Sequence, residues 1–401
     1  MIPRYRSPFG VAEVLRAAFW GMHRSELGSI PGIPRRRFLR LAPSASDALH
    51  VALRGFGPSG RVVLPAYTCF RVIEAIRSAG WSPVYVDINP VNGEMDPLEL
   101  ADLLSVNASP TVVLATHLHG IPTSISALRE VAVPTGARII EDCAMAQGAM
   151  HAGAVVGSFG DAAIFSFGLG KVLSAGAGGA LASDTPLVTK PEAAADVSWT
   201  SLFELFSRAG FVGDARFHLQ EATKHGRRLV SSLPAPKEPG FEPAHWNNIA
   251  KSTLARLVCR KSLDALLELQ RQRSERWYRF LMSLAGGSIT TFRVAPGDRH
   301  CYRGLPILAD DRDGLQRALR ARGIDTARFF DYCAATRDGA RGSFPHSEEI
   351  SRKILVLPLD NAINAKRAEI GCRPFSPLSL WPFSIERRSS LAVISDFTSI
   401  A

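Results

Sequence analysis

Lys171 stands at the end of Ser166-Phe167-Gly168-Leu169-Gly170-Lys171, just ahead of Ser174-Ala175-Gly176-Ala177-Gly178-Gly179. A lysine in a glycine-rich turn first raises the question of a nucleotide phosphate loop. That loop needs a glycine five residues before the second glycine, and a Ser or Thr after the lysine. Phe165 and Val172 occupy those places, which excludes it. A surface lysine in a turn would read the same way, so Lys171 alone does not decide. Asp142 is the second group. It closes the apolar run Ile139-Ile140-Glu141-Asp142, and a buried carboxylate asks for a cationic partner. That partner is either a structural cation such as an arginine or the protonated nitrogen of a flat pyridine cofactor, which a charge-assisted hydrogen bond would keep able to accept electrons. The third element is Pro43-Ser44-Ala45-Ser46-Asp47-Ala48-Leu49-His50, where small hydroxyl residues open an amphipathic pattern. Free N–H groups at such a helix start bind phosphate. Ser44 or Ser46 is equally suited to cap the helix, and both uses are compatible. Ser166, five residues before Lys171, is a second hydroxyl for the same phosphate.

These residues need a frame. Short runs rich in Val and Ile recur at 61–65, 84–87, 112–115, 138–142 and 162–166, with helical stretches near 46–55, 70–79, 97–105 and 124–133. Such alternation predicts a mostly parallel sheet covered by helices on both faces, an α/β fold. Ligands in these sheets bind at the carboxyl ends of the strands. Asp87, His117, Asp142 and Ser166 all fall there. From about Asn247 to Leu284 leucines recur at helical spacing, as in a long helix linking two domains. A strand near 302–308, a helix near 312–322 and the segment Val356-Leu357-Pro358-Leu359 suggest a smaller C-terminal α+β domain. The resulting division is an N-terminal arm (1–40), a large domain (41–245), a linking helix with the small domain (246–360) and a divergent tail (361–401). Within the large domain, the segment from Pro186 to Pro239 reads as a helical insertion.

The chain has 401 residues, 46% hydrophobic and 21% charged, enough for one large core and a smaller domain. Its six cysteines show neither Cys-x-x-Cys nor metal-ligand spacing, which points to a reducing compartment and to no metal site. Residues 1–21 lack the continuous apolar stretch of a signal peptide, and no apolar run reaches membrane-spanning length, so a cytoplasmic protein is expected. The net charge of +10 is dispersed, apart from Arg35-Arg36-Arg37 and the group Lys224, Arg227 and Arg228. Neither cluster belongs to a nucleic-acid module, so no nucleic-acid partner is expected.

The motifs, taken in order, carry a resemblance. Ser44 to His50, Leu64-Pro65-Ala66-Tyr67-Thr68, Pro83-Val84-Tyr85-Val86-Asp87-Ile88 and His117-Leu118-His119-Gly120 come first. Glu141-Asp142-Cys143-Ala144, Gly157-Ser158-Phe159-Gly160-Asp161, Phe165-Ser166-Phe167, Lys171 and Gly178-Gly179 follow. The set resembles the DegT/StrS family of pyridoxal-phosphate (PLP) sugar aminotransferases, closely over residues 41–184 and more weakly beyond. The resemblance implies the aspartate-aminotransferase fold and a homodimer. It also implies transfer of an amino group from an amino acid such as glutamate to a keto-sugar, usually nucleotide-linked, in polysaccharide or secondary-metabolite biosynthesis. Lys171 would be the Schiff-base lysine and Asp142 the partner of the pyridine nitrogen. Ala45, Ser46 and Ser166 would contact the cofactor phosphate.

The chain departs from the family pattern at several places. Ala45-Ser46 replaces the usual Gly-Thr. Cys69 stands where an aromatic residue stacks on the ring, with Phe70 and Tyr67 as substitutes. Met145 replaces a Gln or His near the ring, and a thioether cannot donate a hydrogen bond; Gln147 is the nearest replacement. The Asn-x-Arg loop of the family is missing near Asn247-Asn248, and no family-like ending follows residue 360. These departures leave two other readings beside the aminotransferase: a non-catalytic PLP-fold binding protein, and a PLP-dependent sugar dehydratase. Dehydrating relatives replace the lysine by His, so Lys171 speaks against the latter.

Overall fold

The computed structural model describes residues 29–105, 110–168, 170–175, 177–187, 263–284, 289–321 and 324–359. The insertion expected at 186–239, the basic group at 224–228, Asn247-Asn248 and the tail after 360 lie outside, or almost wholly outside, these residues.

The main sheet has seven strands: β1 (Phe38–Ala42), β2 (Gly60–Pro65), β3 (Trp81–Val86), β4 (Thr111–Thr116), β5 (Arg138–Asp142), β8 (Ala162–Ser166) and β9 (Gly179–Ser183). Between β5 and β8 the short strands β6 (Met150–His151) and β7 (Ala154–Val155) pair as a hairpin. The sheet order is β1-β9-β8-β5-β4-β2-β3, and only β9 runs against the others. The five strands expected from Val and Ile content are present and mutually parallel. β1 and β9 were not marked by the sequence pattern.

Successive residues of each central strand face opposite sides. Val62, Leu64, Val112, Leu114 and Ile140 pack with Leu49, Leu53, Ile73 and Ile76 of helices α1 (Ala45–Phe56) and α2 (Phe70–Ser78). Val63, Val113, Ala115 and Ile139 pack with Leu100, Leu104, Ile125 and Leu128 of α3 (Pro97–Ser105) and α4 (Ile125–Ala132). Each of the Val, Leu and Ile side chains among these, when fully buried, stabilises the fold by about 1.5–3 kcal/mol. The two filled faces account for the lack of polar alternation along the strands.

After α5 (Leu263–Leu284) comes an antiparallel sheet of β10 (Ile289–Thr290), β11 (Leu305–Ala309) and β12 (Ile354–Leu357). α6 (Arg312–Ala321) and α8 (Pro345–Lys353) pack on it, while the short α7 (Ala334–Arg337) lies against the end of β2, its Ala334 N–H donating to the Ala66 carbonyl at 2.8 Å. Among the described residues, no helix is long and apolar enough to cross a membrane.

Candidate active site

The site forms where β8, β9 and α1 meet. Ser166 at the end of β8 is in register with Gly179, and Gly179 with Ala42 of β1. The Gly178 N–H donates to the Pro43 carbonyl at 2.8 Å, carrying the chain edge up to the start of α1. A Cβ on Gly179 would lie 2.4 Å from the Ser44 carbonyl carbon and 2.5 Å from the Ala45 nitrogen. Glycine is therefore what lets the helix start settle on β9. Ser44 is the cap: its Oγ accepts the Asp47 N–H at 3.1 Å, and its carbonyl accepts the Ala48 N–H at 3.1 Å. The helical ladder leaves the amides of Ala45 and Ser46 unused at the positive end of the helix dipole. The Ser166 Oγ accepts the Gly168 N–H at 3.3 Å.

Lys171 sits in a turn braced from within. The Lys171 N–H donates to the Gly168 carbonyl at 3.3 Å and the Gly170 N–H to the Ser174 Oγ at 3.2 Å. The Ala175 N–H closes the loop onto the Phe167 carbonyl at 2.8 Å. The side chain is partly buried, and its pKa falls to about 8, first through desolvation and then through the positive charge of Arg303. Cys69, Asp142 and Cys301 act in the opposite sense. Asp142, at the end of β5, has its carboxyl pushed above the ordinary range by burial, against the opposing pull of the Ala144 N–H, Lys171 and His117. The Ala144 N–H reaches its Oδ1 at 3.0 Å. Lys171 and Asp142 thus act on each other electrostatically, and each is displaced toward its neutral form.

Glu141, one residue earlier, serves the fold. It accepts N–H groups from Gly157 at 2.7 Å, Phe159 at 2.6 Å and Gly160 at 2.7 Å, and faces the His117 Nε2 at 3.2 Å. The His117 Nδ1 accepts the Thr123 N–H at 2.9 Å, so the ring proton is on Nε2 and points to Glu141. Burial alone would raise the Glu141 carboxyl; His117 and the Gly157 and Gly160 amides outweigh it and hold the pKa low. His117, Glu141 and Cys143 lie close enough together for metal ligation, but the histidine and the carboxylate are engaged by protein donors and burial pushes the thiol far up. Arg36 grips the same 157–161 loop by its carbonyls, donating to those of Gly157, Ser158, Gly160 and Asp161 at 2.8–3.3 Å.

Asp87, also at a strand end, is consumed at the start of α8. It accepts the His346 N–H at 3.0 Å, and the Ser347 N–H and hydroxyl at 2.9 and 2.5 Å. The substitutes considered for the missing ring contacts are committed elsewhere too. The Tyr67 hydroxyl donates to the Phe329 carbonyl at 2.8 Å. Phe70 lies under the Arg337 guanidinium at 4.5 Å, and the Gln147 amide donates to the Pro31 carbonyl at 2.7 Å. Cys69 remains beside Lys171 and Asp142, its thiol pushed up mainly by burial. Met145 is buried, and its carbonyl accepts the Cys301 thiol at 3.1 Å.

Two residues that sequence reasoning passed over, His300 and Arg303, complete the surroundings together with His119, which the sequence offered only as a motif member without a role. His119 is buried among Tyr67, Phe292 and Phe330 and stays neutral, its pKa lowered to about 3 by burial and by the charges of Arg303, His300 and Lys171. Its Nε2 lies 3.3 Å from the Tyr67 oxygen, whose own proton goes to Phe329. Nε2 therefore carries the hydrogen, and Nδ1 is a buried lone pair without a protein partner. His300 is likewise lowered to about 3 by burial.

The profile of the DegT/DnrJ/EryC1/StrS aminotransferase family matches residues 41–370. The chain belongs to this family. The erythromycin biosynthesis sensory transduction protein EryC1 of Saccharopolyspora erythraea is 35% identical over 335 residues, 81% of each chain. The dTDP-3-amino-3,4,6-trideoxy-alpha-D-glucose transaminase of Streptomyces venezuelae is 28% identical over 326 residues, 79% of this chain and 76% of that one. Among solved structures, S. venezuelae DesV in complex with a ketimine intermediate superposes with a TM-score of 0.65 at 25% identity, covering 92% of this chain and 96% of its own. Family membership makes this protein a PLP-dependent aminotransferase, with the mixed α/β architecture expected from the sequence.

Proposed function

We propose that the protein transfers an amino group from an amino acid, glutamate in the first instance, to a keto-sugar carried on a nucleotide. Its pathway would be the synthesis of a cell-surface polysaccharide or a secondary metabolite. The observation that carries the reading is the meeting of Lys171, Asp142 and the unused amides of α1 at the carboxyl end of one sheet. The sugar class is supported by the S. venezuelae relative, which is named for a dTDP-linked sugar.

These residues fit PLP. The Ala45 and Ser46 amides and the Ser166 hydroxyl would hold its phosphate at the helix start that Gly179 admits. Asp142, buried and short of donors, would take the ring N–H. When bound, PLP supplies an electron sink for negative charge at the reacting carbon. Lys171 then has two tasks: to hold the cofactor at its amine, and, once displaced, to carry a proton to and from carbon. A pKa near 8 suits both tasks, since roughly a tenth of such an amine is neutral at pH 7, against a few in ten thousand for an ordinary lysine.

In the same reading residues 41–245 form the PLP-binding domain and 246–360 the linking helix with the small domain. The working unit is a cytoplasmic homodimer. Borohydride reduction of the PLP-loaded protein should leave the pyridoxyl label on the Lys171 peptide. Glutamate added before reduction should replace the absorbance of the lysine-linked cofactor with that of its amine form. A label on another lysine would overturn the assignment of Lys171. A spectrum unmoved by glutamate and by other amino acids would overturn the transfer reaction.

A further inference from the structure

Arg303 lies 133 residues beyond the lysine turn in sequence, in the segment leading into β11, yet its Nε–H donates to the Gly170 carbonyl, one residue before Lys171. Its guanidinium carbon lies 3.9 Å from the centre of the Phe329 ring, a flat seat for a cation. Phe329 is fixed in turn, since its carbonyl accepts the Tyr67 hydroxyl at 2.8 Å.

The backbone on both sides of this stack is strained. Tyr302, just before Arg303, has φ 50°, and Phe330, just after Phe329, has φ 54°. Bulky residues rarely adopt left-handed backbone, at a cost of about 1–3 kcal/mol each, and they do so where surrounding structure forces it. Here the Tyr302 N–H is held by the His300 Nδ1 at 2.5 Å, and the Cys301 N–H by the Gly120 carbonyl at 3.0 Å. Two aromatic residues thus take strained conformations at the two places that bring Arg303 and Phe329 together over the lysine turn.

We propose that Arg303 is a positioning residue for Lys171: seated on Phe329, it fixes the Gly170 carbonyl and brings a permanent positive charge to the turn that carries the amine. The proposal rests on reading Lys171 as the reactive amine. The groups facing Lys171 are Asp142 on β5, Cys69 at the start of α2, His119 in the turn after β4, and Cys301 with Arg303 ahead of β11. His119 is neutral, and both thiols are raised, that of Cys301 to about 12. Near neutral pH only Arg303 supplies a fixed positive charge among them, opposed by Asp142. Arginine suits the task because it does not lose its proton.

The test follows the amine directly. The full-length protein, freed of PLP, is labelled with acetic anhydride from neutral to strongly alkaline pH. The extent of acetylation of the Lys171 peptide is read by mass spectrometry. Arg303→Met should move the labelling midpoint upward by about 1 pH unit, and Arg303→Lys, which keeps the charge, should return most of the shift. Arg271→Met, which removes an exposed cation on α5, should leave it in place. If Arg303→Met does not fold, Arg303→Gln serves in its place, with circular dichroism as the check. A folded, charge-removed variant with the wild-type midpoint overturns the proposal, as does a shift that Arg303→Lys fails to reverse. Borohydride mapping separates the two readings. A label on Lys171 with an unmoved midpoint sinks only the role of Arg303. A label elsewhere sinks the assignment of Lys171.

Discussion

Glu141 and Asp142 are neighbours on β5, both buried, yet they have different surroundings. Strand alternation sends their side chains to opposite faces. Glu141 meets three backbone N–H groups and a histidine, and its carboxyl is held low in spite of burial. Asp142 meets one N–H, from Ala144, and its carboxyl is driven up by the same burial. A carboxylate supplied with donors by its own chain belongs to the scaffold. One left short of them suits a cationic ligand, because a buried charge is costly until it is paired. The same contrast holds at the other strand ends, where Asp87 is used up by α8 while Ser166 lies beside the start of α1.

The contrast can be broken most sharply at Asp142. Asp142→Asn keeps the shape and removes the charge, so reduction of bound PLP by glutamate should slow by a factor of 100 or more, roughly, while the cofactor is still retained. Stopped-flow absorbance checks this, and a near-normal rate would move Asp142 to the scaffold side. Glu141→Gln should do the reverse. Its NH2 group must face a backbone N–H in either orientation, which should cost about 2–4 kcal/mol of stability with little change in the reaction rate per folded molecule. Denaturant unfolding measures it. The sign in pH follows from the lowered carboxyl. The contribution of Glu141 is complete above its unfolded pKa of about 4.3 and is lost as pH falls through its folded value, so Glu141→Gln should flatten that acid limb.

Much of this arrangement was legible beforehand. The central strands announced themselves because both of their faces are covered, which forces runs of Val and Ile. Lys171, Asp142 and the start of α1 were legible because their residue types are costly or conspicuous where they stand. β9 was not, because Gly-Ala-Leu-Ala-Ser has small residues where α1 lies against it, and the same glycines read as a turn. Arg303 carried no local signal, and His119 appeared only as a motif member with no role attached. Their surroundings depend on the approach of segments more than a hundred residues apart, and on backbone angles at Tyr302 and Phe330 that no pattern of residue types encodes.

The smallest effect is expected at Met145, which is buried where the family resemblance implies a Gln or His and offers only packing. Met145→Gln restores a donor worth about 1 kcal/mol, so PLP retention measured by equilibrium dialysis should improve by up to about fivefold. Unchanged or weaker retention would assign the Met145 position to the core.

β1 pairs with β9, Phe38 opposite Ser183 and Ala42 opposite Gly179. On the ribosome this first strand must wait for its neighbour through some 140 further residues, roughly 7–30 s at ordinary elongation rates. Through that interval an apolar segment with open backbone groups is available to any passing strand. Arg35-Arg36-Arg37 immediately before it and Arg40 within it place four positive charges on the waiting edge. Such flanking charges disfavour pairing between nascent chains, which would repel one another at this point. Once the sheet closes, Arg36 turns from guard to anchor, binding the carbonyls of the 157–161 loop.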